Sequence, residues 1–130
     1  LNNKFDFNLI KKILNDNNLM INLDKKIEDI VITLGSWGLT VFNNKYNLWV
    51  DAIKQEVFDV VGAGDNVSAI YGLYKFYSND VLKSSFLANL AGSIAVSKPF
   101  TNPVKPIDIS HSLYYLLKIN YKNKFFKINK

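Results

Sequence analysis

The segment Glu56-Val57-Phe58-Asp59-Val60-Val61-Gly62-Ala63-Gly64-Asp65-Asn66 carries the residues best suited to chemistry. It joins an extended apolar run to a helix start. Gly62 and Gly64, around an alanine, permit positive φ and a close approach of backbone to ligand. Backbone N–H groups at a helix start point toward a bound anion, and the helix dipole adds favourable potential. Asp65, in the first turn, would stand beside that anion. N–H groups that hold a phosphoryl group, with a carboxylate that receives a hydroxyl proton, are the parts phosphoryl transfer needs. Its transition state is loose, so the hydroxyl need not lose its proton early. The same spacing also describes an ordinary glycine turn with Asp65 as a helix-start carboxylate.

Other candidates are less specific. Trp37, between Gly35 and Gly38, suits either a cover for a nucleotide base or a partly exposed loop aromatic. Asp51 and Glu56 read as surface charges rather than a paired acid and base. His111 is the sole histidine, which excludes a zinc site built on several histidines, and it reads as an ordinary helix residue. Tyr114, Tyr115, Leu116 and Leu117 read as a helix packing face.

The elements that must position these residues follow from periodicity. Asp6 to Asn15 predicts a helix with Leu9, Ile10, Ile13 and Leu14 on one face. Ile30 to Leu34 predicts a buried strand, broken at Gly35-Ser36-Trp37-Gly38. Leu39 to Phe42 and Tyr46 to Val50 predict two more strands around the turn Asn43-Asn44-Lys45. After the extended run Glu56–Val61, helical spacing holds from Asp65 to about Tyr77, through Val67, Ile70, Tyr71 and Tyr74. Ser78-Asn79-Asp80 is a helix stop followed by an N-cap. Asp80 to Ser97 is the strongest helix, rich in the small residues Ala88, Ala91, Gly92 and Ala95. Pro99, Pro103 and Pro106 mark an irregular connection to a last helix, Ile107–Ile119. Asn120–Lys130 reads as a Lys/Asn/Phe tail, with Phe125 and Phe126 in a frayed end or the start of a linker. The order suits the edge of a layered α/β domain, since too few strands alternate with helices for a complete doubly wound fold.

Composition narrows the classes. The 130 residues fit one domain, and 48% apolar content is ordinary for a globular protein. No run of about 18 apolar residues predicts a membrane span. The first residues lack the apolar stretch of a signal peptide, and the absence of an initiator methionine is read as a start inside a longer protein. There is no cysteine, which excludes disulfides and thiolate metal sites and suits a reducing compartment, the cytoplasm. The net charge of +5 comes from lysine alone among 16 basic residues, so the planar guanidinium fork that reads phosphate and guanine is missing. Nucleic-acid binding through the Lys/Phe tail is the weaker reading.

Asp59-Val60-Val61-Gly62-Ala63-Gly64-Asp65 resembles the Asp-Thr-x-Gly-Ala-Gly-Asp signature of ribokinase-type (PfkB) carbohydrate kinases. Val31-Ile32-Thr33-Leu34-Gly35-Ser36-Trp37-Gly38 is similar to the family's strand and Gly-x-x-Gly turn beside the nucleotide. Ala88-Asn89-Leu90-Ala91-Gly92 is similar to its helix bordering the adenine pocket. Within the family, Glu56–Val60 and the run Ala88–Thr101 most resemble the heptose-7-phosphate kinase branch of ADP-heptose synthesis.

The resemblance implies an α/β fold, the C-terminal portion of a ribokinase-like three-layer α/β/α architecture without its N-terminal half. It assigns residues 1–119 to the kinase part and 120–130 to a Lys/Asn-rich tail or linker. It implies Asp65 as general base, with the N–H groups of Gly62, Ala63 and Gly64 stabilising the transferred phosphoryl group. Thr33, Gly35, Ser36 and Gly38 would border the nucleotide, and Asn89 would lie near adenine. Asp59 matches a position that helps hold a monovalent cation, K+. ATP and Mg2+ would be the cofactors and a sugar phosphate the acceptor, with no nucleic acid or membrane partner. A homodimer and a fused nucleotidyltransferase domain are the assemblies the family offers. A non-catalytic nucleotide-binding remnant is the alternative reading. Three departures bear on the site: Val61 stands directly before Gly-Ala-Gly-Asp, where the family has a threonine, Asn66 stands where a small residue or threonine is usual, and Phe100 replaces a common glycine.

Overall fold

The computed structural model describes residues 6–16, 27–45, 47–99, 102–118 and 126–129. Helix α1 spans Phe7–Asp16. Asp6 caps it by accepting the N–H groups of Asn8 (2.9 Å) and Leu9 (3.4 Å) on Oδ1. Leu9 and Ile13 of its expected apolar face stay exposed; the Leu14 side chain lies outside the described residues.

Strands β1 (Asp29–Thr33), β2 (Leu39–Asn43) and β3 (Asn47–Val50) form an antiparallel meander. Register pairs Leu39 with Val50 and Val41 with Leu48, so these four apolar side chains share one face. All four are buried, and so are Thr40 and Phe42 on the other face, so β2 is covered on both sides. Its alternation is therefore absent, as expected of a strand with no solvated face. The Thr40 hydroxyl escapes a desolvation cost by donating to the Leu48 carbonyl at 2.9 Å.

A one-turn 3-10 helix, Gly35–Trp37, connects β1 to β2. It is closed by the Leu34 N–H donating to the Gly38 carbonyl at 2.8 Å. Gly38 has φ 93°, and a Cβ there would lie 2.0 Å from the Val50 carbonyl oxygen. Only glycine fits.

Helix α2 (Ala63–Ser78) begins two residues ahead of its expected start at Asp65, and helix α3 (Val81–Val96) follows closely. Asn79, left-handed at φ 48°, ends α2. Asp80 then caps α3 by accepting the Lys83 N–H at 3.0 Å. Helix α3 is buried nearly all round and packs against α2, β2 and β3. Its buried serines return their hydroxyls to its own carbonyls, Ser84 to Asp80 at 2.7 Å and Ser85 to Val81 at 2.6 Å. The core joins Leu39, Val41, Leu48 and Val50 to Val67, Tyr71, Ala88, Leu90 and Ile94.

Helix α4 spans Pro106–Lys118. Its packing face is Ile109, Leu113 and Leu116; of the expected Tyr114–Leu117 run only Leu116 packs on the core, and Tyr114, Tyr115 and Leu117 are exposed. The period of 3.6 puts the apolar stripe one step away from that run. The tail reading is corrected as well. Phe126–Asn129 forms strand β4, antiparallel to β3, with Trp49 opposite Lys127. The sheet order is β1-β2-β3-β4. Residues 119–125, including Phe125, lie outside the described residues.

Candidate active site

Two clefts open beside the first turn of α2. The larger, about 720 Å³, gathers Thr33, Gly35, Ser36 and Gly38 from the β1–β2 turn, Ala63 and Gly64 from α2, and Asn89 from α3. Residues separated by more than fifty positions in sequence thus meet on one wall. The smaller, about 450 Å³, runs along β1 and α2 past Asp29, Ser68 and Tyr71. Thr33, Gly64 and Val67 line both.

Asp65 lines neither cleft but follows Gly64, which lines both. Its carboxylate is exposed, and it has no hydrogen-bond or ion-pair partner among the described residues. The turn before it is set by Gly62, left-handed at φ 77° and ψ 0°. Ala63 donates its N–H back to the Val60 carbonyl at 3.3 Å, and Asn66 donates to the Gly62 carbonyl at 3.1 Å. The N–H groups of Gly64 and Asp65 take no acceptor among the described residues. These are orphan donors of a helix start, on the positive end of the dipole. The family resemblance implies Gly62, Ala63 and Gly64 as the donors, whereas here the Ala63 N–H is taken by Val60 and that of Asp65 is open. The difference arises because the Val60–Ala63 turn closes on itself.

The loop ahead of the turn is anchored on α3. Phe58 and Asp59 both donate their N–H groups to the Val96 carbonyl, at 2.8 and 3.3 Å. Asp59 folds its Oδ1 onto the Val61 N–H at 2.9 Å, so this carboxylate oxygen caps its own loop. No group of three or more His, Cys, Asp or Glu side chains forms a metal cluster among the described residues. Phe100 and Thr101 lie outside those residues.

Asn89 is buried at the cleft wall, and its Nδ2 donates to the Asp51 carbonyl at 2.8 Å. It therefore ties α3 to the segment leaving β3. That segment adds Lys54 and Gln55 to the cleft, and Ser93 joins from α3. Sequence reasoning missed these three: nothing between β3 and Glu56 marks Lys54 or Gln55 as cleft residues, and nothing in α3 singles out Ser93. Trp37 is not among the lining residues; the residue is 40% exposed, and the Trp49 indole donates to its carbonyl at 2.9 Å.

Charge is arranged at two margins. At the far end of the smaller cleft, the Asp29 carboxylate accepts the Tyr71 hydroxyl (3.0 Å), the Asn43 amide (3.1 Å) and the Lys75 ammonium (3.2 Å). Burial pulls the Lys75 ammonium down, but hydrogen bonds and charge from Glu28 and Asp29 outweigh it and leave its pKa above the ordinary lysine value. Beside the connection to α4, Lys98 pairs with Asp108 at 2.5 Å. That ammonium, with the Lys105 N–H, holds the Asp108 carboxyl below the usual range.

Known proteins resemble this chain in sequence and in fold. Residues 3–108 match the pfkB family of carbohydrate kinases. The bifunctional protein HldE of Pectobacterium atrosepticum is 32% identical over 91 residues, which cover 69% of this chain and 19% of that protein. HldE of Yersinia enterocolitica is 33% identical over the same length. The chain thus spans about a fifth of the curated relatives it matches. Among solved structures, phosphofructokinase-2 of E. coli in complex with potassium superposes with a TM-score of 0.70 and 21% identity, over 87% of this chain and 35% of that one. An E. coli protein described as a ribokinase II, in complex with ATP and Mg2+, superposes with a TM-score of 0.68 and 18% identity, over 77% of this chain and 33% of that one. The fold is therefore part of the ribokinase-like α/β architecture, and the chain belongs to the pfkB family of carbohydrate kinases.

Proposed function

We propose that this chain is the nucleotide-handling part of an ATP-dependent sugar kinase, with Asp65 as the base that receives the proton of the acceptor hydroxyl. One observation carries the reading. The cleft that gathers Thr33, Gly35, Ser36, Gly38 and Asn89 is also lined by Gly64, where α2 offers two N–H groups without an acceptor among the described residues, next to a free carboxylate. Nucleoside binding at one end and anion binding at the other suit a nucleoside triphosphate held with its phosphates at the helix start.

In this reading the N–H groups of Gly64 and Asp65, with that of Gly62, take up negative charge on the transferred phosphoryl group. Thr33, Gly35, Ser36 and Gly38 border the nucleotide, and Asn89 fixes the wall against which the base lies. Magnesium, carried in by the triphosphate, would neutralise charge between its phosphates. Asp59 stands where related kinases contribute to a monovalent cation, yet one of its oxygens is committed to Val61 and no hydroxyl is present at that position.

The acceptor class follows the branch that the motif most resembles: a sugar phosphate, D-glycero-D-manno-heptose 7-phosphate. The relatives are named bifunctional, which supports a second activity in the same polypeptide; we infer a nucleotidyltransferase, as in the branch that the motif resembles. We place the enzyme in the cytoplasm, where ATP is supplied. Among the described residues no helix is long and apolar enough to cross a membrane.

The test is phosphoryl transfer from ATP to heptose 7-phosphate, with the chain in its native sequence context. Asp65→Asn should lower kcat by about 10²–10⁴-fold while ATP still binds. Near-normal turnover in Asp65→Asn would remove the mechanism. ATP binding by the unmutated protein without turnover on any sugar phosphate would reduce it to a nucleotide-binding module.

A further inference from the structure

Asn66 departs from the family signature, and its contacts give that departure a use. Its backbone N–H and its side-chain Nδ2 both donate to the Gly62 carbonyl, at 3.1 and 2.9 Å. Its Oδ1 accepts the backbone N–H of Val104 at 3.3 Å. Gly62 is the left-handed residue of the turn and the N-cap of α2. Val104 lies in the connection between α3 and α4 and packs against the core. One half-buried amide therefore joins two segments 38 residues apart in sequence.

The side chain fits both demands because it is short, neutral and both donor and acceptor. Threonine offers one hydroxyl for two partners. Aspartate keeps the acceptor but loses the donor, and it adds a negative charge beside a turn whose N–H groups are open to an anion. Without the amide, the Gly62 carbonyl keeps only the backbone bond, and the turn loses its tie to a segment fixed by core packing.

We propose that Asn66 is a positioning residue for phosphoryl transfer: it locks the Gly62 turn to the connection before α4 and so fixes the aim of Asp65 and of the free N–H groups at the helix start. The assignment rests on the kinase reading above. Small displacements of a reacting group are costly, since about 1 Å of misplacement can lower a rate by about a hundredfold. The nucleoside end of the cleft is held by other residues, Asn89 among them, and is untouched by this lock.

The experiment measures kcat and KM for ATP in Asn66→Ala, alone and combined with Asp65→Asn, together with amide hydrogen exchange at Val104. Asn66→Ala should lower kcat about tenfold or more and change KM for ATP by less than about twofold. In the Asp65→Asn background the same change should cost several-fold less, because only the N–H groups remain to be aimed. Val104 should exchange about tenfold faster in Asn66→Ala. Should that variant not fold, Asn66→Asp replaces it, and should keep Val104 protected while kcat falls. Equal losses of kcat in both backgrounds, or unaltered kcat in Asn66→Ala, overturn the proposal. If the unmutated protein shows no turnover, the kinase reading and the catalytic role of Asn66 fall together. Faster exchange at Val104 would then show that the lock itself exists, and unchanged exchange would remove that too.

Discussion

A Cβ on Gly92 would lie 2.8 Å from Cγ2 of Val67, so α3 meets α2 at a separation that only glycine allows. Val67 sits one turn beyond Gly64 and lines both clefts. Its branched side chain has little rotamer freedom in a helix, so it cannot swing away. Gly92→Ala should therefore destabilise the fold by about 1–3 kcal/mol, even though alanine is the better helix former. Chemical denaturation of Gly92→Ala and of Gly92→Ala with Val67→Ala checks this. The second change should be less harmful in the Gly92→Ala background than alone; strict additivity would show that the two side chains do not collide.

Gly38 and Gly64 offer a contrast. Gly38 combines positive φ with a Cβ position that collides with the backbone of Val50, Asp51 and Ala52. Gly38→Ala should cost about 3 kcal/mol or more, because backbone has to move to accept it. A midpoint shift below about 1 kcal/mol would contradict the close approach of the β1–β2 turn to the end of β3.

At Gly64 φ lies outside the left-handed range, and a Cβ meets nothing within 4 Å. Gly64→Ala should leave stability unchanged or raise it by about 0.5–1 kcal/mol. Yet the methyl would stand in the cleft beside the free N–H groups. Calorimetric titration with ATP should show affinity reduced about tenfold or more, and unaltered affinity would place the phosphates elsewhere.

Acid should weaken the connection ahead of α4. The Lys98 ammonium first, and the Lys105 N–H second, lower the Asp108 pKa from the ordinary 3.8. A depressed folded pKa means that the contribution is complete above the unfolded value and is lost as pH falls through the folded one. The loss therefore belongs below about pH 4. Asp108→Asn should be less stable than the parent near neutrality and show a flatter stability profile between about pH 4 and 2. Parallel profiles for the two proteins would exclude this pair as a source of acid sensitivity.

Much of this was legible in residue order. Asp80 announced its cap, and the β-branched run at Ile30–Ile32 announced β1. The strand β4 was missed although Phe126-Lys127-Ile128-Asn129 alternates apolar and polar residues. The surrounding lysines and asparagines gave the segment the composition of a solvated tail, and its partner β3 is remote in sequence. For the site, the glycines and Asp65 were visible because their types are restrictive. The identity of the unpaired N–H groups was not, since it depends on Ala63 closing onto Val60. Asn66 was visible only as an oddity, because its partner Val104 becomes a neighbour after α3 has crossed the sheet. Lys54 and Gln55 carried no signal at all.

The pairing of Trp49 with Lys127 has a consequence for the order of events in folding. Strands β1 to β3 are joined by short turns and can zip together from local contacts. Strand β4 reaches β3 only across a chain segment containing three helices, and closing so long a loop carries an entropic cost that local contacts do not offset. The outer edge of β3 should thus be the last backbone in the sheet to gain protection during refolding. Pulsed hydrogen exchange would see the amides of β1 and β2 shielded early and those bridging β3 to β4 shielded late.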